Sequence, residues 1–308
     1  MKSHAAGYVY AVLTFSIFAF QDSISRYLGA SYPPVFIATI RYWVLALVAI
    51  TVAARLGGGL GQCLQSRRPW LQILRGLLLT VQVILAITAN ATAGLIPTQS
   101  ILAATPLMVA LLSVPILGEQ VGWRRAAAIG AGLVGVLIIL QPGTAFFSGD
   151  LVIPVVSAVV LSLYTVTTRL AGRDDRPITS FLYMGLVGAA ALTFVGPFFW
   201  TSMPAEAWGW LAVLCVTGIC SHYFFIRAYQ HLDAVKVQPI SYLQLVVAST
   251  IGIVVFGEQM TAHIAIGSAI VVAAGLFTIW REFVGRSTAR RAAAGFGAGL
   301  PVAERSEG

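Results

Sequence analysis

The chain has 308 residues, of which 58% are hydrophobic and only 10% are charged, and its formal net charge is +8. A soluble domain carries roughly a quarter charged residues, so this composition excludes a water-soluble globular protein and indicates a chain embedded in a lipid bilayer. No soluble basic domain is available to hold a nucleic acid, and the positive charge therefore indicates cytoplasmic loops. Cys63, Cys215 and Cys220 form no metal-ligand spacing and no disulfide framework. We expect no metal and no cofactor.

Long apolar runs, separated by glycine and proline turns, predict an all-α membrane protein with ten transmembrane helices. The runs are too long for strands and lack the alternation of polar and apolar residues that strands show. The first run has no clear cleavage site after it, so we interpret it as a retained helix and not as a signal peptide. The predicted helices cover residues 5–28, 34–55, 71–91, 98–117, 123–141, 150–171, 178–199, 208–229, 236–256 and 263–281.

An apolar helix, a Gly-Glu-Gln turn and a second apolar helix occur twice in the chain. Gly118-Glu119-Gln120 recurs as Gly257-Glu258-Gln259, which lies 139 positions later, and Ile129-Gly130 recurs as Ile266-Gly267. Such self-similarity indicates an internal repeat. The same pattern opens each half, with Arg26, Gly29 and Pro34 in the first and Arg169, Gly172 and Pro177 in the second.

The repeat predicts two five-helix units, residues 5–141 and 150–282, followed by a basic cytoplasmic tail at 283–308. The tail could be disordered or form a basic helix on the inner leaflet, and we favour disorder. Because five is odd, the second unit must enter the membrane inverted with respect to the first. Charge supports this arrangement. With the N-terminus inside, every lysine and arginine except Arg26 and Arg41 lies at a cytoplasmic end. Both termini are therefore predicted to be cytoplasmic, in a bacterial-type inner (plasma) membrane.

Short motifs in both halves resemble those of a known family. They are Arg41-Tyr42, Thr105-Pro106-Leu107, Leu117-Gly118-Glu119, Arg227-Ala228-Tyr229, Gln238-Pro239-Ile240-Ser241-Tyr242 and Phe256-Gly257-Glu258. In this the chain resembles the EamA-type permeases of the drug/metabolite transporter superfamily. The resemblance implies a central cavity lined by helices 1, 3, 4, 6, 8 and 9, with helices 5 and 10 at the periphery. It also implies substrates such as amino acids, riboflavin or S-adenosylmethionine.

Two charged side chains are predicted to lie inside the membrane, where ionisable groups are costly and mark functional sites. Asp22 lies about 9 Å below the outer end of helix 1, and Arg41 about 10 Å below the outer end of helix 2. Asp22 could therefore pair with Arg41, or with Arg26, one turn away on its own helix. The alternative is a structural salt bridge in which Arg41 extends towards the interface beside Tyr42 and Trp43.

Polar side chains on other helices complete the set of candidate substrate-binding or coupling residues. Gln82 and Asn90 lie near one face of helix 3, and helix 9 carries Tyr242 with Gln244 beside it. Amide and aromatic groups suit a ring-bearing or zwitterionic metabolite. His222 in helix 8 could bind substrate or carry a proton. The alternatives are helix–helix hydrogen bonds for the polar faces and simple packing for His222.

Glu119 and Glu258 stand at turns that precede helices, where a carboxylate can satisfy the free amide groups of a helix start. We predict capping for both, and proton coupling is the less favoured alternative. The small residues around Gly130 and Gly267 are predicted to allow close approach of helices.

These observations predict a secondary transporter of small organic metabolites that works by alternating access. The sequence contains no HExxH, GxSxG or nucleotide-binding GxxxxGK[ST] motif, so we predict no enzymatic activity and no ATP hydrolysis. Its expected partners are a small-molecule substrate and membrane lipid, and no nucleic acid. The alternative is a membrane-embedded ligand sensor or lipid-modifying protein without flux. Proton coupling, the direction of transport, and a monomeric or homodimeric state are left open.

Overall fold

The computed structural model describes residues 4–56, 58–118, 122–143, 149–232 and 237–297, which form helices and turns and no strand. The α-helices are α1 His4–Gly29, α2 Pro34–Leu56, α3 Leu60–Cys63, α4 Pro69–Thr92, α5 Leu95–Leu102, α6 Thr105–Leu117, α7 Trp123–Leu140, α8 Val152–Ala171, α9 Pro177–Val195, α10 Ala205–His231, α11 Tyr242–Phe256 and α12 Ala262–Gly297. Short 3-10 helices cover Gly149–Leu151, Gly196–Phe199 and Gln238–Ser241.

Nine helical segments among the described residues are long and apolar enough to cross a membrane. Large apolar side chains cover the outside of the bundle, and Phe198 and Val254 are 86% and 76% exposed. Such a surface is stable only against lipid. The predicted all-α membrane fold is therefore confirmed. Helix α1 is 26 residues long but is not among the nine segments, so the count of ten crossings stays a prediction.

The predicted fourth and ninth helices are not continuous. The fourth is divided into α5 and α6 at Ala103 and Ala104. Pro106 contributes to this break because it has no amide hydrogen to donate to the carbonyl of Leu102. The ninth begins as the 3-10 turn Gln238–Ser241, which contains Pro239, before α11 starts. Breaks of this kind expose backbone and small polar groups in the middle of a transporter, where substrates bind.

The helices pair in a pattern that a two-fold-related repeat would produce. Helix α1 packs along α10, and α4 packs along α8. The predicted repeat matches α1 with α8 and α4 with α10, so it converts each of these two pairs into the other. Helix α2 packs on α9 and α7 packs on α12, and each of these pairs maps onto itself. Any two-fold relation between the halves produces this pairing, and their inverted orientation stays a prediction.

Close contact between α7 and α12 depends on two glycines. A Cβ atom at Gly135 would lie 2.8 Å from the carbonyl oxygen of Gly267, and one at Gly267 would lie 2.6 Å from the carbonyl oxygen of Gly135. No side chain fits at either position without moving a backbone. At Gly130, which the repeat matches with Gly267, a Cβ atom would meet nothing within 4 Å. The helix contact is thus made one and a half turns further along α7 than the repeat suggests.

Helix α12 continues to Gly297, so the expected disorder of the tail is wrong for residues 283–297. Glu119 and Gln120 of the first turn, Lys236 and residues 298–308 lie outside the described residues.

Candidate substrate cavity

A cavity of about 500 Å³ lies between the two halves of the helix bundle. All six helices that were expected to line it contribute side chains, and α2, α7 and α12 contribute a few more. Every sequence-predicted candidate lines this one cavity: Asp22, Arg41, Gln82, Asn90, His222, Tyr242 and Gln244. Its volume is within the range of about 300–1,000 Å³ that is usual for small-molecule sites.

The carboxylate of Asp22 accepts hydrogen bonds from three amide side chains. Asn90 Nδ2 lies 3.4 Å from Oδ1, while Gln99 Nε2 and Gln244 Nε2 lie 3.0 Å and 2.8 Å from Oδ2. Gln244 also donates to Gln99 Oε1 at 3.4 Å. These donors come from α4, α5 and α11, so Asp22 joins side chains from both halves of the chain. An isolated carboxylate at this depth would be very costly, and the three amides compensate part of that cost.

Neither predicted partner of Asp22 forms an ion pair with it. Arg41 donates instead to Gln21 Oε1 at 3.3 Å, and Gln21 Nε2 donates to Ser221 Oγ at 3.0 Å. Arg26, one turn from Asp22, contacts Glu258. Of the two possible pairings, Asp22–Arg41 and Asp22–Arg26, the structure forms neither, because polar side chains from other helices hold all three groups.

Aromatic side chains form the apolar walls of the cavity. Phe18 and Phe225 pack with ring centroids 6.4 Å apart, and Tyr164 and Tyr242 lie further along the lining. His222 Nδ1 lies 2.9 Å from the Gly218 carbonyl oxygen. A carbonyl oxygen can only accept, so Nδ1 carries a proton, and Nε2 is the acceptor whenever the imidazole is neutral. The His222 ring forms a T-shaped contact with the Phe18 ring, with centroids 5.9 Å apart.

Gln21 and Gln99 are lining residues that the sequence analysis did not select. Gln99 could have been found, because the repeat offset of 139 matches it with Gln238, which belongs to a recognised motif. For Gln21 the sequence offers no comparable indication. Its role depends on the approach of Arg41 from the next helix, α2, and of Ser221 from α10, which lies 200 residues further along the chain.

One end of the bundle is closed just beyond Asp22. Glu258 contacts Arg26, and its two carboxylate oxygens accept hydrogen bonds from the backbone amides of Leu95 and Ile96, each at 2.8 Å. Glu258 therefore caps α5 in the other half of the chain, whereas the sequence predicted a cap on the helix after its own turn. The correction follows from the fold, which brings the start of α5 closer to the carboxylate than the start of α12.

The opposite end of the cavity reaches the surface. Arg125 and Arg169 belong to its lining there, and Arg169 is exposed. Both lie at the end of the bundle that the charge distribution predicts to be cytoplasmic. At the other end, beside the Arg26–Glu258 pair, the lining residues Ser25 and Gln99 are buried. We therefore interpret the cavity as open beside the basic residues and closed beside the Arg26–Glu258 pair.

The sequence profile of the EamA-like transporter family matches residues 5–141 and again residues 147–280. The chain belongs to the EamA-like transporter family. The family and the names of the relatives point to a transporter, and the apolar helices to a multi-pass membrane protein.

Similar proteins include an S-adenosylmethionine uptake transporter of Rickettsia prowazekii (strain Madrid E). It is 24% identical over 283 residues, which cover 92% of this chain and 95% of the relative. A riboflavin transporter of Rhizobium johnstonii is 26% identical over 284 residues, covering 90% and 91%. One solved crystal structure of a protein aligns with this chain with a TM-score of 0.60 and 20% sequence identity. The alignment covers 91% of this chain and 98% of the solved chain. At this identity the solved structure supports the fold alone.

Proposed function

We propose that this EamA-like protein carries small organic metabolites across the inner membrane by alternating access of two inverted halves, with both termini in the cytoplasm. The observation that carries the proposal is Asp22, whose carboxylate takes amide donors from α4, α5 and α11 at the cavity. A ligand donor group that competes with these amides for the Asp22 carboxylate would act on both halves at once. Such differential binding is what a substrate needs to shift a conformational equilibrium.

The lining favours an uncharged or zwitterionic compound of amino-acid to flavin size. Amides, hydroxyls and aromatic rings outnumber charges in the cavity. Phosphorylated compounds would require several inward-facing cations close together, but Arg125 and Arg169 lie at the open mouth and Arg41 lies deeper. The relatives carry S-adenosylmethionine or riboflavin by name. We therefore propose amino acids and S-adenosylmethionine-like or riboflavin-like compounds as the substrate class.

Whether transport is coupled to protons requires a separate measurement. Asp22 and His222 are titratable groups in the interior of the cavity, and a proton-driven carrier needs one such group. Flux that is the same with and without a pH gradient would favour facilitated diffusion.

Uptake measured at several densities of the protein in the membrane would distinguish a functional monomer from a homodimer.

The decisive experiment is flux in proteoliposomes that contain the purified protein. We expect uptake of at least one radiolabelled compound from a panel of amino acids, S-adenosylmethionine and riboflavin. Asp22→Asn should abolish this uptake while leaving the amount of folded protein nearly unchanged. The matched control is Thr250→Val on α11, since Thr250 is exposed and its hydroxyl bonds the Val246 carbonyl of its own helix at 2.8 Å. Binding of a panel compound without any flux would favour the ligand sensor, and preferential uptake of sugar phosphates would contradict the proposed substrate class.

A further inference from the structure

The cavity holds opposite charges that do not neutralise each other directly. Asp22 is the only carboxylate among the described residues that line it, and Arg41 lies in the same lining. The described part of the chain shows no ion pair between them, and each charge is held by amide side chains of its own. Two separated charges of opposite sign that line one cavity are complementary to a ligand that carries both charges on groups bonded to the same carbon atom.

The environment of Asp22 contains an unused acceptor. Asn90 is fully buried, and its Nδ2 donates to Asp22 Oδ1. Asn90 Oδ1 is buried as well and accepts no hydrogen bond from the described residues. Rotating the amide by 180° would face the carboxylate with an oxygen, so it offers no remedy. A buried acceptor without a partner is costly, and a ligand donor group placed between Asp22 Oδ1 and Asn90 Oδ1 would satisfy it.

Arg41, in contrast, has unused hydrogen-bond donors. Its guanidinium has five N–H donors, and within the described ranges it makes a single hydrogen bond, to Gln21. Gln21 is in turn fixed by Ser221 on α10, so the guanidinium is held in place while donors remain for an anionic group. Guanidinium and carboxylate groups fit each other in a two-bond geometry. The side of the cavity formed by α2 and α10 therefore suits a ligand carboxylate.

We propose that the cavity binds an α-amino-acid head group, with the ammonium between Asp22 and Asn90 and the carboxylate at Arg41. The remainder of the ligand would lie against the aromatic wall of Phe18, Phe225 and Tyr164. This inference rests on the proposed transport function and narrows its substrate class. It selects amino acids and compounds that contain an amino-acid end, such as S-adenosylmethionine, and it selects against riboflavin, which has no ammonium and no carboxylate.

The test is ligand binding to the purified full-length protein in detergent, measured by calorimetry and by the shift in Tm. The probes are L-methionine, S-adenosylmethionine, the decarboxylated and the deaminated analogue of each, and riboflavin. For the wild-type protein we expect each intact compound to bind at least about tenfold more tightly than either analogue, since a charge-assisted hydrogen bond contributes on the order of a factor of ten or more. This comparison needs no variant and so does not depend on how a mutated protein folds.

Two variants then assign the contacts. Arg41→Gln should weaken binding of the intact and deaminated compounds about tenfold and leave the decarboxylated compounds unchanged. Asn90→Ala should weaken the intact and decarboxylated compounds and leave the deaminated ones unchanged. A protein that merely fails to fold would lose all ligands together, so these opposite patterns are specific. Thr51→Val, on α2 like Arg41, is the control because its hydroxyl is exposed and bonds the Leu47 carbonyl.

Several outcomes would overturn the head-group assignment. These are tighter binding of riboflavin than of any amino-acid compound, equal binding of intact and decarboxylated ligands, and no binding of any probe at millimolar concentration. The proposed function fails differently, because selective binding of the amino-acid compounds without flux would leave the head-group site standing. Flux of riboflavin that is indifferent to Arg41→Gln would leave transport standing and remove this site.

Discussion

Glu258, at the end of α11, pairs with Arg26, at the end of α1, and the same carboxylate holds the first two amides of α5. One side chain thus ties three helices together at the closed end of the cavity. The backbone makes room for it, since a Cβ atom at Gly94 would lie 2.9 Å from Glu258 Oε1 and one at Gly252 would lie 3.2 Å from Oε2. Gly94 also has a φ of +94°, which a residue with a side chain rarely adopts.

Opening of this end should follow when the Glu258 charge is removed. Glu258→Gln leaves Arg26 without its counter-ion and weakens the cap on α5, and breaking a largely buried pair costs on the order of 3 kcal/mol. We expect a cysteine at Ser25, which is buried in the cavity lining, to react faster with an impermeant thiol reagent added from the Glu258 side. The three native cysteines are replaced beforehand.

The control for this experiment is Gln259→Ala, because Gln259 is the exposed neighbour of Glu258. It should leave the labelling rate at position 25 unchanged. Equal labelling rates in Glu258→Gln and in the parent protein would show that the carboxylate does not hold this end closed.

The contact between α7 and α12 predicts a sharp difference between two glycines of the same helix. Gly135→Ala places a methyl group against the Gly267 carbonyl, 2.8 Å away, so two backbones must move apart. Overpacking of this kind costs about 1–3 kcal/mol, and we expect a lower Tm in detergent and reduced expression. Gly130→Ala meets nothing within 4 Å and should retain or slightly raise the Tm. Equal Tm values for the two variants would contradict the close approach at Gly135.

The predicted membrane orientation can be tested by cysteine labelling from either side. Cys63 is fully buried, so new single cysteines at exposed positions are needed. In a background without the native cysteines, Gln62→Cys and Arg124→Cys should react only from the cytoplasmic side, and Gln259→Cys only from outside. The reason is that lysines and arginines accumulate at the cytoplasmic ends. Labelling of positions 124 and 259 from the same side would end the inverted-repeat interpretation.

The sequence correctly predicted an all-α membrane protein, and the seven candidate site residues selected from it all line one cavity. Both predictions were possible because apolar runs and intramembrane polar groups are local properties of the chain. The partners of those residues were predicted less well. Pairing of Asp22 with an arginine was one possibility, but amides such as Gln99 and Gln244 donate hydrogen bonds to it instead. Glu258 was expected to cap a neighbouring helix and instead caps α5, in the other half of the chain. Which side chains come into contact depends on how the helices cross, and the periodicity of the sequence does not determine these crossings.

At the other end of the bundle, Asp175 joins the loop between α8 and α9 to the loop before α4. Its carboxylate accepts hydrogen bonds from the Ser66 hydroxyl, from the Arg67 amide at 2.9 Å and from Gln72 Nε2 at 2.8 Å. Partial burial opposes ionisation of this group, but the hydrogen bonds from Gln72, Ser66 and Arg67 outweigh burial and lower the pKa of Asp175. The ionised form is therefore favoured in the folded protein.

A group whose pKa is lower in the folded state stabilises the fold above its unfolded pKa, which is about 3.9 for aspartate, and this contribution is lost as the pH falls through the folded pKa. At about pH 6 we expect Asp175→Asn to lose about 1–2 kcal/mol, which corresponds to a Tm lower by about 2–8 °C. The difference from the parent protein should shrink as the pH is taken below about 4. Thermal unfolding of both proteins in one detergent across this pH range is the measurement. The control is Glu206→Gln, at an exposed carboxylate in the first turn of α10, and its Tm should differ little from that of the parent protein across this pH range. If the Tm difference between Asp175→Asn and the parent protein persists unchanged at the lowest pH, the effect comes from the shape of the side chain and not from its charge.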